Sequence, residues 1–142
     1  MKYYIATDHA AFGIKERVKD IIRSLGHEII DLGTNSPDRV DYPDFAHKLS
    51  NAVLADEGSF GILICGTGIG MSLAANKHKG IRAALCHDAY TAQMARAHND
   101  ANVLCFGERV VGLGVIESIC KTWSKTSFEG GRHANRVAKI EI

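Results

Sequence analysis

The sequence predicts a doubly wound α/β domain, a five-stranded parallel sheet held between two layers of helices. Three observations lead there. Short β-rich runs alternate with amphipathic helical stretches along the whole chain. One run, Phe60 to Ile64, is almost wholly apolar, as a strand covered on both faces must be. And the 142 residues hold no repeat, low-complexity tract or linker, so 1–142 reads as a single domain.

The elements follow in order. Lys2 to Thr7 is the first strand, and Ile14, Val18, Ile21, Ile22 and Leu25 mark one face of a helix that Gly26 can terminate. Glu28 to Leu32 returns to strand character, completing a right-handed βαβ unit within about 30 residues. Pro43 and Asp44 suit the first turn of a second helix with apolar positions Phe45, Leu49, Ala52 and Val53; Gly58 and the strand Phe60 to Ile64 follow. A third helix is expected from about Gly68 to Lys79, then Gly80 and a strand from Ile81 to Cys86. Asp88 is the expected N-cap of a helix ending near His98. Val103 to Phe106 makes the fifth strand, and Val115, Ile116, Ile119 and Trp123 stripe another helix.

Charge and cysteine usage narrow the function. Seventeen Lys and Arg against 16 Asp and Glu leave a net charge of +1, which offers no basic footprint for nucleic acid or anionic membranes. The opening MKYYIATDHA turns acidic by Asp8, and no apolar run approaches the ~18 residues of a membrane span, so a soluble, cytoplasmic protein is expected. Cys65, Cys86, Cys105 and Cys120 lack the close pairing of zinc or redox motifs and are expected as free thiols. Cys105 and Cys120 read as small core residues, and His27, His47 and His78 as solvated surface histidines.

In parallel sheets ligands bind at the carboxyl ends of the strands, near the point where strand order reverses. That rule selects Asp8 and His9, Cys65 through Gly70, His87, and Gly107 through Arg109. The run Cys65-Gly66-Thr67-Gly68-Ile69-Gly70-Met71-Ser72 follows a strand and opens a helix, so its amides can face an anion or a developing oxyanion. Its spacing matches neither dinucleotide nor Walker patterns. A tight strand-to-helix turn explains the glycines equally well. Cys65 adds chemistry, because a helix N-terminus favours a thiolate that can act as base or nucleophile; a buried strand-end cysteine is the alternative. Asp8 is either a ligand contact or a cap of the following helix. Arg132 and Arg136, four apart after Gly130-Gly131, share a face if that stretch is helical and can then grip a phosphate; an exposed arginine pair is the plain alternative. His98-Asn99-Asp100 closes a helix and falls at the sheet edge opposite Cys65, with His98 and Asn99 read as the closing residues.

Asp8-His9, the CGTGIGMS run, His98-Asn99-Asp100, FGERVVG around Arg109, and EGGRHANR, in this order across essentially the whole chain, resemble the type B ribose-5-phosphate isomerases. That family also includes galactose-6-phosphate and allose-6-phosphate isomerases. The resemblance implies a Rossmann-like three-layer sandwich and an aldose–ketose isomerase of the pentose phosphate pathway that works through an enediolate. A six-carbon sugar phosphate, or a noncatalytic sugar-phosphate-binding module, stands as the alternative. By resemblance Cys65 is the catalytic base, and Thr67 and His98 assist ring opening with His98 as acid. Gly66, Gly68, Ile69 and Gly70 supply amides to the intermediate. Asp8 and Asn99 hold sugar hydroxyls, and His9, Arg109, Arg132 and Arg136 surround the phosphate. No metal or organic cofactor is expected. Because Cys65 and His98 fall at opposite edges, a homodimer with shared sites is expected, open to pairing into a tetramer, with the segment of about 126–142 contributing to dimer contacts and phosphate binding.

Overall fold

The computed structural model describes residues 1–142. Five strands, β1 (Lys2–Thr7), β2 (Glu28–Asp31), β3 (Phe60–Cys65), β4 (Ala83–Leu85) and β5 (Val103–Gly107), form one sheet in the order β2-β1-β3-β5-β4, and every pairing is parallel. The helices are α1 (Phe12–Ser24), α2 (Tyr42–Leu54), α3 (Ile69–Ala75), α4 (Ala89–Ala97), α5 (Leu113–Lys125) and α6 (Arg132–Ala138). The expected doubly wound α/β fold is therefore present. None of the helices is long and apolar enough to cross a membrane.

Alternation along the strands divides the core. Tyr3, Ile5, Ile62, Ile64, Leu104 and Phe106 face α1, α4 and α5, where Val18, Ile22, Ile119 and the fully buried Trp123 meet them. Ala6, Leu63, Cys65, Val103 and Cys105 face α2 and α3, against Leu49, Val53 and Met71. Cys65 thus ends its strand on the α2–α3 side.

Local signals place most boundaries. Gly26 ends the first helix region at φ +89°, and Pro43 stands in the first turn of α2. Asp88 caps α4 in a reciprocal capping box, its Oδ1 accepting the Thr91 amide at 2.8 Å. Two expectations are corrected. The third helix stops at Ala75 rather than running to Lys79, because Asn76 turns to the sheet: its Nδ2 donates to the Ala83 carbonyl at 2.9 Å and its Oδ1 accepts the Ala83 amide at 2.8 Å. The side chain so pairs the edge of β4, which shrinks to Ala83–Leu85.

Of the histidines expected at the surface, His47 is exposed, while His27 and His78 are half-buried. His27 packs its ring against Tyr3 with centroids 5.4 Å apart and is half-buried, which lowers its pKa by desolvation. His47 Nδ1 and His78 Nε2 lie 2.6 Å apart, one acting as donor and one as acceptor; burial, then the neighbouring His47, lowers the His78 pKa. Cys105 and Cys120 are wholly buried, as expected, and all four cysteines are unpaired.

Candidate active site

Strand order reverses between β1 and β3, and there the chain brings Asp8 beside the Cys65 loop. Asp8 is buried; its amide donates to the Ile64 carbonyl at 3.3 Å, and its Oδ1 accepts the Ala11 amide at 3.1 Å. It therefore holds the turn before α1 with one oxygen while standing at the strand edge, the N-cap position itself being Ala11. His9 accepts the Val40 amide on Nδ1 at 3.2 Å. In the neutral ring that bond leaves the proton on Nε2, making His9 a fixed donor.

Cys65 is 6% exposed, and its Sγ accepts the Gly68 amide at 3.1 Å. Such a bond is stronger toward an anionic sulfur. The loop sits as close to β5 as glycine permits. Gly68 has φ +80°, and a side-chain carbon there would lie 2.7 Å from the Phe106 carbonyl carbon; one at Gly107 would lie 2.5 Å from Thr67 Cα. Two backbone bonds tie the edges together, Glu108 amide to Cys65 carbonyl at 2.9 Å and Arg109 amide to Gly66 carbonyl at 3.1 Å. They set the Arg109 guanidinium against Gly66, where an added Cβ would be 3.4 Å from Nη1. Thr67 is exposed, its Oγ1 accepting the Ile69 amide at 3.3 Å. Asp8, His9, Cys65 through Gly70 and Arg109 therefore gather at one edge of one chain. His87 is at that edge too, but beyond β4, where its amide donates to Thr91 Oγ1 within the cap of α4.

Tyr42 belongs with this group although sequence reasoning passed it over. Its ring lies across Gly70, where an added Cβ would be 2.4 Å from Cε1. The strand-edge rule applied to the segment after β2 selects it, together with Val40, the residue that fixes His9.

The other expected residues lie elsewhere. From Asp88, at the carboxyl edge, α4 runs back to its C-cap His98 at the amino edge. The five residues of β5 alone span about 16 Å between those edges. The Glu129 amide donates to the Ala97 carbonyl at 2.9 Å, which brings the start of α6 to the same place. Arg132 and Arg136 are on one helix, as the phosphate-gripping reading required, but beside His98 rather than beside Arg109. The expected three-arginine cluster is thus divided within one chain, since α6 docks on the far end of α4. The turn is also closed differently than expected: Asp100, not Asn99, takes the left-handed conformation at φ +46°. Arg96 Nη1 donates to Asp100 Oδ1 at 3.0 Å and Arg82 Nε to its carbonyl at 2.9 Å, so two arginines hold that residue and leave Asn99 exposed.

His98 stacks on His133, centroids 4.1 Å apart and planes 12° from parallel. Glu129 Oε1 stands 3.8 Å from His98 Nε2 and 3.5 Å from His133 Nε2. Burial, then the nearby His98 and Arg132, lowers the His133 pKa, so that ring is neutral near pH 7. This trio offers three ligand atoms within 4.8 Å. Imidazole lone pairs lie in the ring plane, however, and two parallel planes do not converge on one ion. A cleft of about 620 Å³ lined by Arg82, Asn99 and Ile140 also opens at this edge, away from Cys65.

The sequence model of the family described as Ribose/Galactose Isomerase matches residues 3–140. The chain belongs to that family. Within it, the chain is 48% identical to ribose-5-phosphate isomerase B of Escherichia coli, covering 98% of this chain and 93% of the relative. It is 42% identical to D-erythrulose-4-phosphate isomerase of Pectobacterium atrosepticum, covering 96% and 90%. The solved structure of Clostridium thermocellum ribose-5-phosphate isomerase B superposes with a TM-score of 0.95 at 52% identity over 99% of this chain and 95% of that one. The Rossmann-like three-layer architecture of the family is thus the architecture of this chain.

Proposed function

We infer that this family member interconverts D-ribose 5-phosphate and D-ribulose 5-phosphate, an aldose–ketose isomerisation of the pentose phosphate pathway. The observation that carries the reading is Cys65, aligned by the Gly68 amide at the switch point of the sheet and flanked by the amides of Gly66 to Gly70.

In the proposed reaction the furanose C1–O4 bond breaks. O4 gains a proton carried by His98, and the C1 hydroxyl gives up its own through Thr67 as the carbonyl forms. Cys65, as thiolate, then takes the C2 proton. The electron pair moves into C1=C2 and the carbonyl oxygen becomes the enediolate oxyanion, which the amides of Gly66, Gly68, Ile69 and Gly70 stabilise. Transfer of the hydroxyl proton between O2 and O1 and return of the Cys65 proton to C1 give the ketose. Only protons move, so the residues themselves suffice for the chemistry. Asp8 and Asn99 hold hydroxyls; His9, as Nε2 donor, joins Arg109, Arg132 and Arg136 at the phosphate.

This assignment requires a twofold partner, because His98, Asn99, Arg132 and Arg136 stand a strand's length from Cys65 in their own chain. Exposed Ile69 and Leu73, one turn apart on α3 beside the Cys65 loop, supply apolar surface suited to such a partner. We therefore propose a homodimer with two shared sites, open to tetramer formation, and place it in the cytoplasm, where four unpaired thiols persist.

The Pectobacterium relative's name points to a four-carbon substrate, so chain length is the open variable within this chemistry. Isomerisation of ribose 5-phosphate, allose 6-phosphate, galactose 6-phosphate and D-erythrulose 4-phosphate is to be assayed side by side. The highest kcat/KM is expected with ribose 5-phosphate. Preference for another sugar reassigns the substrate, and turnover of none supports a noncatalytic binding module.

A further inference from the structure

We propose that His133 and Glu129 are positioning residues for His98, fixing the plane and the Nε2 edge of the ring that the isomerase reading makes its acid. The inference rests on that reading and adds two residues to it. His98 ends α4 and is more than a third exposed, so nothing in its own helix holds its ring. His133, 7% exposed, lies parallel beneath it at 4.1 Å. Its Nε2 is buried without a hydrogen-bond partner, a cost that a purely structural residue there would avoid by being apolar.

The Glu129 carboxylate approaches both Nε2 atoms, and its amide is anchored on Ala97, one residue before His98. The Glu129 carboxylate thus stands at the Nε2 edge of the upper ring, while the His133 ring covers one of its faces. The remaining charged groups nearby are Arg132 and Arg136 on α6 and Asp100, which Arg82 and Arg96 already hold. The stack thus presents His98 in one orientation with a carboxylate at its edge. Through the twofold it would enter the partner's site already oriented.

The test separates ring opening from enediolate chemistry in the full-length, assembled protein. Ribulose 5-phosphate is open-chain, so exchange of its C1 hydrogen with deuterated solvent, followed by NMR, reads the Cys65 step without a ring step. His133→Ala is expected to lower kcat for ribose 5-phosphate about tenfold, with KM and the exchange rate within about twofold of wild type. His133→Phe, which restores a flat ring, is expected to recover most of the loss, and Glu129→Gln to lower kcat selectively for the furanose. Equal loss of isomerisation and exchange, no loss at all, or a phenylalanine variant as slow as the alanine one overturns the positioning role. A wild-type protein that catalyses neither reaction overturns the isomerase reading as well, which distinguishes the two failures.

Discussion

Gly68 donates its amide to Cys65 Sγ at 3.1 Å, and it does so from a backbone conformation, φ +80°, and at a distance from Phe106 that exclude any side chain. Cys65, the proposed base, and its hydrogen-bond donor are therefore coupled through the packing of the Cys65 loop on β5. A defect in either is expected to act on the same step.

Replacing Cys65 with alanine removes the group assigned to proton transfer while leaving the residues proposed for the phosphate untouched. The expected result is a fall in kcat of at least about 10³-fold, with ribose 5-phosphate affinity by calorimetry changed less than about threefold. Substantial turnover in this variant would show that another group is the base.

Gly68→Ala places a methyl group against the Phe106 backbone in a conformation unfavourable for alanine. A loss of about 1–3 kcal/mol in urea unfolding is expected, together with a kcat lowered at least about tenfold. Unfolding that matches wild type would mean that the loop has room the geometry denies.

The thiols differ in environment. Burial pushes Cys86 up to about 11, Cys120 up to about 12, and Cys105 well above the ordinary range. Iodoacetamide at pH 8 is therefore expected to label Cys65 alone in the native protein, with sugar phosphate slowing the reaction. Peptide mapping that finds Cys120 or Cys105 labelled under native conditions contradicts this ordering.

Shared sites are tested by mixing subunits. Cys65→Ala and His98→Asn proteins, each inactive, should regain about a quarter of wild-type activity after random reassociation, since half the dimers are hybrids with one intact site. Confirmed hybrids without activity would place both residues in one chain's site.

Stability should decline in two stages on acidification. His27, His78 and His133 have pKa values lowered in the fold, so their contribution is present above about pH 6.5 and lost as the pH falls through the folded values. Asp31 follows at lower pH. Burial would raise it, but the Gly33 amide, Lys15 and Lys19 outweigh that and carry it below the usual carboxylate value. Its contribution is present above about pH 4 and disappears below its folded pKa. Urea midpoints across pH 7.5 to 3 should show both stages, and Asp31→Asn should flatten the lower one.

Much of this was legible in residue order. Phe60 to Ile64 reads as a buried strand from its composition, and Gly26, Pro43 and Asp88 mark helix ends because their effects are local. Once the strands are known to be parallel, the edge rule places Asp8, Cys65 and Arg109 together. The end of α3 is not marked by periodicity, because Asn76 leaves the helix to bond Ala83 across the following turn. The half-buried state of His27 is likewise not local, as only the fold puts Tyr3 beside it. Nothing local to Tyr42 says that α2 starts against Gly70.

Periodicity and turn chemistry act over a few residues, and so the sequence by itself determined the α/β class, most element limits and the candidate site residues. Which of those residues meet was decided by tertiary structure. The docking of α6 on the end of α4 separates Arg132 and Arg136 from Arg109, stacks His133 on His98, and leaves Cys65 at the other edge. That docking depends on contacts between segments distant along the chain, and no spacing between neighbours encodes it.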